Sequence, residues 1–390
     1  MTPRSAPMGG STVLGYIIPL FGLICTYMVA ADLWANIQIG GDPWKQADWL
    51  INEINQPVRR GAFGSALIWI ADSLSVSPVA PVYVVQLACL LVLSACLLLV
   101  LQRAEPKAAL ALIVFSPAFL FVFWAADPGG SLRKEALGYA AIALLLLAPL
   151  YPGARRGVAA ASVLIFGLAC IGHEINVLLA PTYALVFLLC LRPGWALGVG
   201  LLVYLAVMGG GTMAYAISHT SVADHASICT PLTQRGVDPD FCIGAILWME
   251  RGTDYGAEQV AMMFLSLRSF GFYLISYGLI AAPFLYLISR VDRPFVVLAA
   301  ALLLILPILP LYPVAVDWGR WMNLHVMSFA FVFLAALITD VIKVVRPVHP
   351  VVLVLAILLG LIWEQPHAEG PRLGGLLAEL MSNQGVGLAY

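Results

Sequence analysis

The feature that most constrains this chain is a recurrence of apolar stretches of about 20 residues, the length of a bilayer-spanning helix. The segments between them are short and hold nearly all of the charge. Hydrophobic residues make up 62% and charged residues 11% of the 390 positions, against about 25% charged in a soluble domain. The pattern reads as an all-α, polytopic transmembrane helical bundle and excludes a soluble globular fold. A net charge of -1 argues against a nucleic-acid partner and against a polybasic lipid contact. No repeat of fixed period divides the chain, so residues 1–390 read as a single integral membrane domain.

Eleven spans are predicted, at roughly 12–30, 79–101, 108–125, 136–150, 157–171, 175–191, 195–217, 262–289, 295–312, 322–342 and 349–363. Alternation with a cytoplasmic N-terminus puts Arg103, Lys107, Arg155, Arg156, Arg192, Arg290, Arg293, Lys343 and Arg346 in short inner turns. That density of basic residues is the positive-inside signature. The outer side then holds two long segments, 31–78 and 218–261, the motif-bearing turns and the C-terminus. In a bacterium this is the periplasmic side of the inner membrane. Cys229 and Cys242 lie in the second long segment at a spacing that suits a disulfide, as an oxidising compartment allows. The five other cysteines fall within apolar runs and read as small core side chains.

Asp42-Pro43 supplies an N-cap and a first-turn proline. Trp44, Ala47, Leu50, Ile51 and Ile54 follow at helical spacing, which predicts an amphipathic helix lying in the membrane interface. The apolar stretch 62–71 is too short to span and reads as re-entrant.

Five motifs could carry chemistry. Asp32, directly after the first span, is a candidate general base toward a lipid-borne substrate, or else a solvated helix end. Arg59-Arg60 offers guanidinium forks that match phosphate oxygens, whether of a diphosphate ligand or of lipid headgroups. In Asp127-Pro128-Gly129-Gly130-Ser131-Leu132-Arg133-Lys134-Glu135, the Pro-Gly-Gly breaks one span and Ser131 is placed to cap the next helix. That helix N-terminus would join Arg133 and Lys134 in an anion site, unless the charges pair among themselves.

His173-Glu174 sits between two apolar segments, and an ionisable group at membrane depth is costly unless it works. Glu174 could be a base, an arginine's partner or a metal ligand beside His173, although one His and one Glu are too few for a metal site. Asp317-Trp318-Gly319-Arg320-Trp321 puts Asp317 and Arg320 on one helical face. Trp318 and Trp321 are either a sugar platform or part of the aromatic belt. Arg268, within an apolar run, needs a carboxylate or a ligand anion. No glycine-rich phosphate loop, HExxH or serine elbow occurs, and His219 and His225 lack companions at metal-ligand spacing. No cofactor is expected, and a divalent-metal requirement stays open. Gly209-Gly210-Gly211 marks close helix packing or a break.

The layout resembles polytopic membrane glycosyltransferases of the GT-C class and bacterial polysaccharide polymerases of the Wzy or EpsG type. The resemblance rests on Asp32 after the first span, the outer segment behind it, and the turns with Arg133-Lys134-Glu135, His173-Glu174 and Asp317-Trp318-Gly319-Arg320. It departs from the GT-C pattern in lacking a paired acidic motif in the first outer loop. It implies a polyprenyl-phosphate- or polyprenyl-diphosphate-linked sugar used at the outer face. Asp32, Glu174 or Asp317 would be the catalytic carboxylate, and Arg59, Arg60, Arg133, Lys134, Arg268 and Arg320 would hold phosphate. The other readings left open are a lipid-linked glycan or ion transporter and a non-catalytic subunit of a membrane complex. An exosortase-like peptidase ranks below these, because Cys229 has Cys242 as a disulfide partner.

Overall fold

The computed structural model describes residues 10–222, 224–265, 267–365, 367–368 and 372–382. In chain order the helices are α1 (Gly10–Gln38), α2 (Lys45–Trp49), α3 (Gly61–Leu74), α4 (Val79–Arg103), α5 (Lys107–Val114), α6 (Leu120–Ala126), α7 (Glu135–Leu145), α8 (Arg155–Gly172) and α9 (Ala180–Leu191). They continue as α10 (Trp195–Ser218), α11 (Ala226–Thr233), α12 (Thr253–Leu265), α13 (Leu267–Ile288), α14 (Pro294–Ile305), α15 (Trp318–Ile338), α16 (Pro350–Ile362) and α17 (Gly375–Ser382). The described residues otherwise hold one antiparallel pair of two-residue strands, Trp363–Glu364 with Arg372–Leu373.

Among the described residues, eight helical segments are long and apolar enough to cross a membrane. They are Val13–Gln38, Val79–Arg103, Pro152–Gly172, Glu174–Leu191, Trp195–Ser218, Phe270–Ile288, Pro294–Leu311 and Trp318–Ile338. The other three expected spans are shorter or broken. The run 108–125 is split into α5 and α6 at Ser116-Pro117, where proline has no N–H to give. The runs 136–150 and 349–363 contain only the short helices α7 and α16.

Burial explains how short and broken helices persist. A non-helical backbone at membrane depth is tolerated only when protein covers it. Helices α5, α6, α7 and α15 form the interior, with nearly every side chain buried. At the α5–α6 break, the Ala118 carbonyl accepts from Asn323 Nδ2 of α15 at 2.8 Å. Gly360 lets α16 close on the same break, since a Cβ there would fall 1.9 Å from the Phe115 carbonyl oxygen. Around this interior, α1, α10, α14 and α16 turn large apolar side chains outward, including Tyr16, Val207, Phe295 and Leu355. Apolar side chains facing outward are what a lipid environment accepts.

The turns gather into two sets. One set joins 103–107 to 146–156, 191–192 to 339, and 290–292 to 343–346, through Arg103 to the Leu150 carbonyl, Arg192 to the Thr339 carbonyl, and Asp292 to Lys343. The other joins 42–61, 127–135, 173–174, 219–250, 317–320 and 367. The first outer segment departs from expectation. Asp42 does cap α2, accepting from the Trp44 and Lys45 amides at 2.8 and 2.6 Å. However, α2 stops after five residues and is buried throughout, so it is not an interfacial amphipathic helix. Its polar side chains face protein partners: Lys45 pairs with Asp32, Gln46 bonds Gln86, and Trp49 donates to the Leu132 carbonyl. Those partners lie far away in sequence, so the period of α2 alone could not reveal them.

Candidate functional site

Arg59 and Arg60 precede α3, and Arg60 takes a left-handed backbone (φ 66°) that a non-glycine residue adopts at a cost of about 1–3 kcal/mol. This turn aims the Arg60 guanidinium at Glu174, with Nε at 2.9 and 3.0 Å from the two carboxylate oxygens and Nη2 at 2.7 Å from Oε1. Arg59 adds a contact at 3.4 Å. Arg60 also lies 3.7 Å from Asp48, on the buried face of α2.

His173 ends α8 and caps the 3-10 turn that carries Glu174, with Nδ1 accepting from the Ile175 amide at 3.0 Å. Burial pushes the His173 pKa down. The same Nδ1 lies 3.4 Å from Glu174 Oε2.

The turn before α7 brings the second pair of cations. Leu132 is left-handed (φ 50°), and its carbonyl accepts from Trp49 Nε1 and Gln86 Nε2 at 3.0 Å each. That fixes the direction of Arg133, which donates to the Gly129 and Trp44 carbonyls at 3.1 and 2.6 Å. Lys134 is fully buried and, among the described residues, its Nζ bonds the Arg60 carbonyl alone, at 3.4 Å. Burial brings its pKa down to about 8. Ser131 bonds back to the Pro128 carbonyl and does not cap α7. Asp127 caps the Pro-Gly-Gly turn and accepts from His367 through both its backbone amide and Nδ1.

Arg320, on the first turn of α15, grips Glu135 with Nε at 3.1 and Nη2 at 3.0 Å, and Asp317 with Nη1 at 2.7 Å. Trp318 and Trp321 are both buried. Trp318 packs among Phe264, Phe270, Tyr273 and Tyr312, so it presents no open face to a sugar. Trp321 lies beside the Arg320 guanidinium at 5.5 Å, and its Nε1 meets no partner among the described residues.

Sequence reasoning missed the carboxylate at the centre. Asp48 is 4% exposed, and its Oδ2 has no hydrogen-bond partner among the described residues. Burial opposes its charge, but the fields of Lys134, His173, Arg60 and Arg133 outweigh that and hold its pKa well below the usual carboxylate range. The available signal was an aspartate on a tryptophan-bearing turn with a proline-capped start, which equally describes an interfacial helix.

Arg59, Arg60, Arg133, Lys134, Arg320, Glu174 and Asp317 therefore converge, together with Asp48 and Glu135. Asp32 does not join them. It lies within α1 before the helix end, and Lys45 and Asn36 engage it instead. The Arg268 side chain lies outside the described residues. Cys229 and Cys242 form a disulfide that ties α11 to the turn after it. Near that disulfide, Asp224, His225 and Glu250 put possible ligand atoms within 4.8 Å of one another, companions for His225 that sequence spacing did not show. His225 already bonds Glu250 through its amide and Nδ1.

The arrangement is net cationic. Five cationic side chains, Arg59, Arg60, Arg133, Lys134 and Arg320, face four carboxylates, Asp48, Glu135, Glu174 and Asp317, which leaves one positive charge in excess. Compared with family models, curated proteins and solved structures, the chain has no match.

Proposed function

We propose that this protein is an integral membrane glycosyltransferase or polysaccharide polymerase that uses a polyprenyl-phosphate- or polyprenyl-diphosphate-linked sugar. One observation carries the reading: cations from three separate segments surround a buried carboxylate with an oxygen that has no partner among the described residues, at one end of an apolar bundle. Arg59, Arg60, Arg133, Lys134 and Arg320 hold the phosphate and stabilise the charge that grows on it as the sugar leaves. Asp48 takes the role that the sequence assigned to Asp32 or Glu174, accepting the proton of the attacking hydroxyl through Oδ2. Glu174 is unsuited to that role, because Arg60 occupies both its oxygens. With the site empty, the surrounding cations make Asp48 a weak base. A bound phosphate anion offsets their field and raises its basicity.

In this reading the chain crosses the bilayer eleven times, three crossings relying on the short helices α5–α6, α7 and α16. The N-terminus is cytoplasmic and the C-terminus periplasmic. The end that holds nine basic and three acidic residues, Arg103 through Arg346, then faces the cytoplasm, as positive-inside bias favours. The site opens to the periplasm of a bacterial inner membrane.

The test is Asp48→Asn and Arg60→Lys, each compared with wild type at equal membrane abundance, with surface glycan and turnover of a polyprenyl-linked sugar measured. Loss of both readouts is expected. Wild-type glycan and turnover in both variants would sink the reading. Labelling of single-cysteine variants Gly153→Cys and Asn55→Cys by an impermeant reagent tests sidedness, with only the second expected to react from outside.

A further inference from the structure

Helices α8, α9 and α10 enclose a cavity of about 590 Å³ that opens on the apolar flank of the bundle. Its walls are Ala159, Ala160, Gly167, Leu168 and Ile171 of α8 facing Leu197, Tyr204 and Met208 of α10, with Phe187 and Leu191 of α9 between them. Small residues make the recess. Gly167 leaves room for Tyr204, whose hydroxyl would lie 2.4 Å from a Cβ there and which donates to the Val163 carbonyl at 2.7 Å. The tyrosine's polar end is thus hidden and its ring lines the floor.

The groove has a direction. Leu191 and Leu197 lie toward the plain basic end. Ile171 and Met208 lie toward the site, about one helical turn from Glu174. Beyond Met208, Gly210 and Gly211 have open space where side chains would stand. At that end stand Arg59 and Arg60, and Arg59 Nε is buried without a partner among the described residues. The groove therefore ends about one helical turn from Glu174, the carboxylate that both guanidiniums contact. That combination fits an amphiphile with a long tail and an anionic head.

Resting on the proposed function, the geometry points to this groove as the seat for the tail of a polyprenyl phosphate. The tail lies between α8 and α10, and its phosphate reaches Arg59 and Arg60. The charge complementarity at one end and the lipid-facing mouth select a phosphate-headed lipid over a neutral one.

The experiment uses the full-length protein in detergent, with native mass spectrometry reading the retention of three added lipids. They are a polyprenyl phosphate, the same polyprenol without phosphate, and phosphatidylglycerol. Ala160→Trp and Leu164→Trp fill the groove from positions that are already exposed, and thermal unfolding checks that both variants fold as wild type does. Wild type should retain the polyprenyl phosphate best. Each tryptophan variant should bind it about tenfold more weakly, since displacing two or more methylenes from an apolar seat is enough for that. Equal retention by folded tryptophan variants overturns the groove as the seat while leaving the proposed function standing. Better retention of phosphatidylglycerol than of polyprenyl phosphate shows a groove for bulk lipid and also overturns it. No retention of polyprenyl phosphate by wild type overturns both.

Discussion

The two ends of the bundle use cations in opposite ways. At the plain end, Lys107 gives its protons to the carbonyls of Leu101, Gln102 and Ala104, and Arg192 gives to that of Thr339. These are the unpaired carbonyls that finish helices, and a cation there also meets the negative end of the helix dipole. Arg103 and Arg290 stack on Tyr151 and Tyr286. At the other end Arg60 and Arg320 are buried against carboxylates. Capping and ring stacking account for the contacts of the four cations at the plain end. They do not explain the second arrangement, which carries desolvation cost and leaves Asp48 Oδ2 without a partner among the described residues. Cations thus finish helices in one place and form a buried cluster with carboxylates in the other.

Four changes sharpen or break that contrast, in descending order of effect. Asp48→Asn should lower turnover per folded protein about 10²–10⁴-fold, the usual worth of a positioned proton acceptor, and should also lower the unfolding midpoint, because the surrounding cations stabilise the Asp48 charge in the fold. Unchanged turnover would make Asp48 a structural counter-ion. Glu174→Gln should cost about 3–5 kcal/mol of stability by leaving Arg60 buried without its partner, read by unfolding in detergent. A midpoint equal to wild type would remove the distinction between the ends.

The third concerns pH. Folding lowers the Lys134 pKa from 10.5 to about 8, so the unfolded chain binds the extra proton between those values. Its contribution to stability therefore rises with pH across that window. Anion binding needs the proton, so affinity for inorganic pyrophosphate should fall as pH rises through about 8. Lys134→Arg should remove that fall, and a fall that survives the substitution assigns it to another group. The smallest effect belongs to Arg192→Gln at the plain end, about 0.3–1 kcal/mol of stability with turnover unchanged. A large loss of turnover there would mean that the two ends are coupled.

The apolar runs were legible because membrane residence writes itself into composition and length. The charged motifs were legible for a related reason, since each interrupts a run in which charge is costly. Convergence was legible only as a side of the membrane. Asp32 shows the limit: it follows an apolar run as closely as any catalytic aspartate would, yet Lys45 takes it up instead. Asp48 shows the converse. Nothing in Lys45-Gln46-Ala47-Asp48-Trp49 distinguishes a buried turn from an interfacial helix, because the difference lies in Gln86, Leu132 and Arg60. Trp318 has the sequence signature of an edge or platform residue, but its burial follows from Phe264 on α12 and Phe270 on α13.

The broken pair α5–α6 and the short α7 also bear on how the molecule is made. Neither is long enough to be accepted by the bilayer alone, and Arg133, Lys134 and Glu135 stand between them. They must enter as a hairpin, sheltered by α1 and α4 already in place. Even then they lack Asn323, which arrives about two hundred residues later to take the Ala118 carbonyl. Until α15 is synthesised, the centre of the protein is a half-satisfied hairpin. Chains truncated before α15 should be held by insertion factors or degraded, and the charged cluster is completed only when that helix arrives with Arg320.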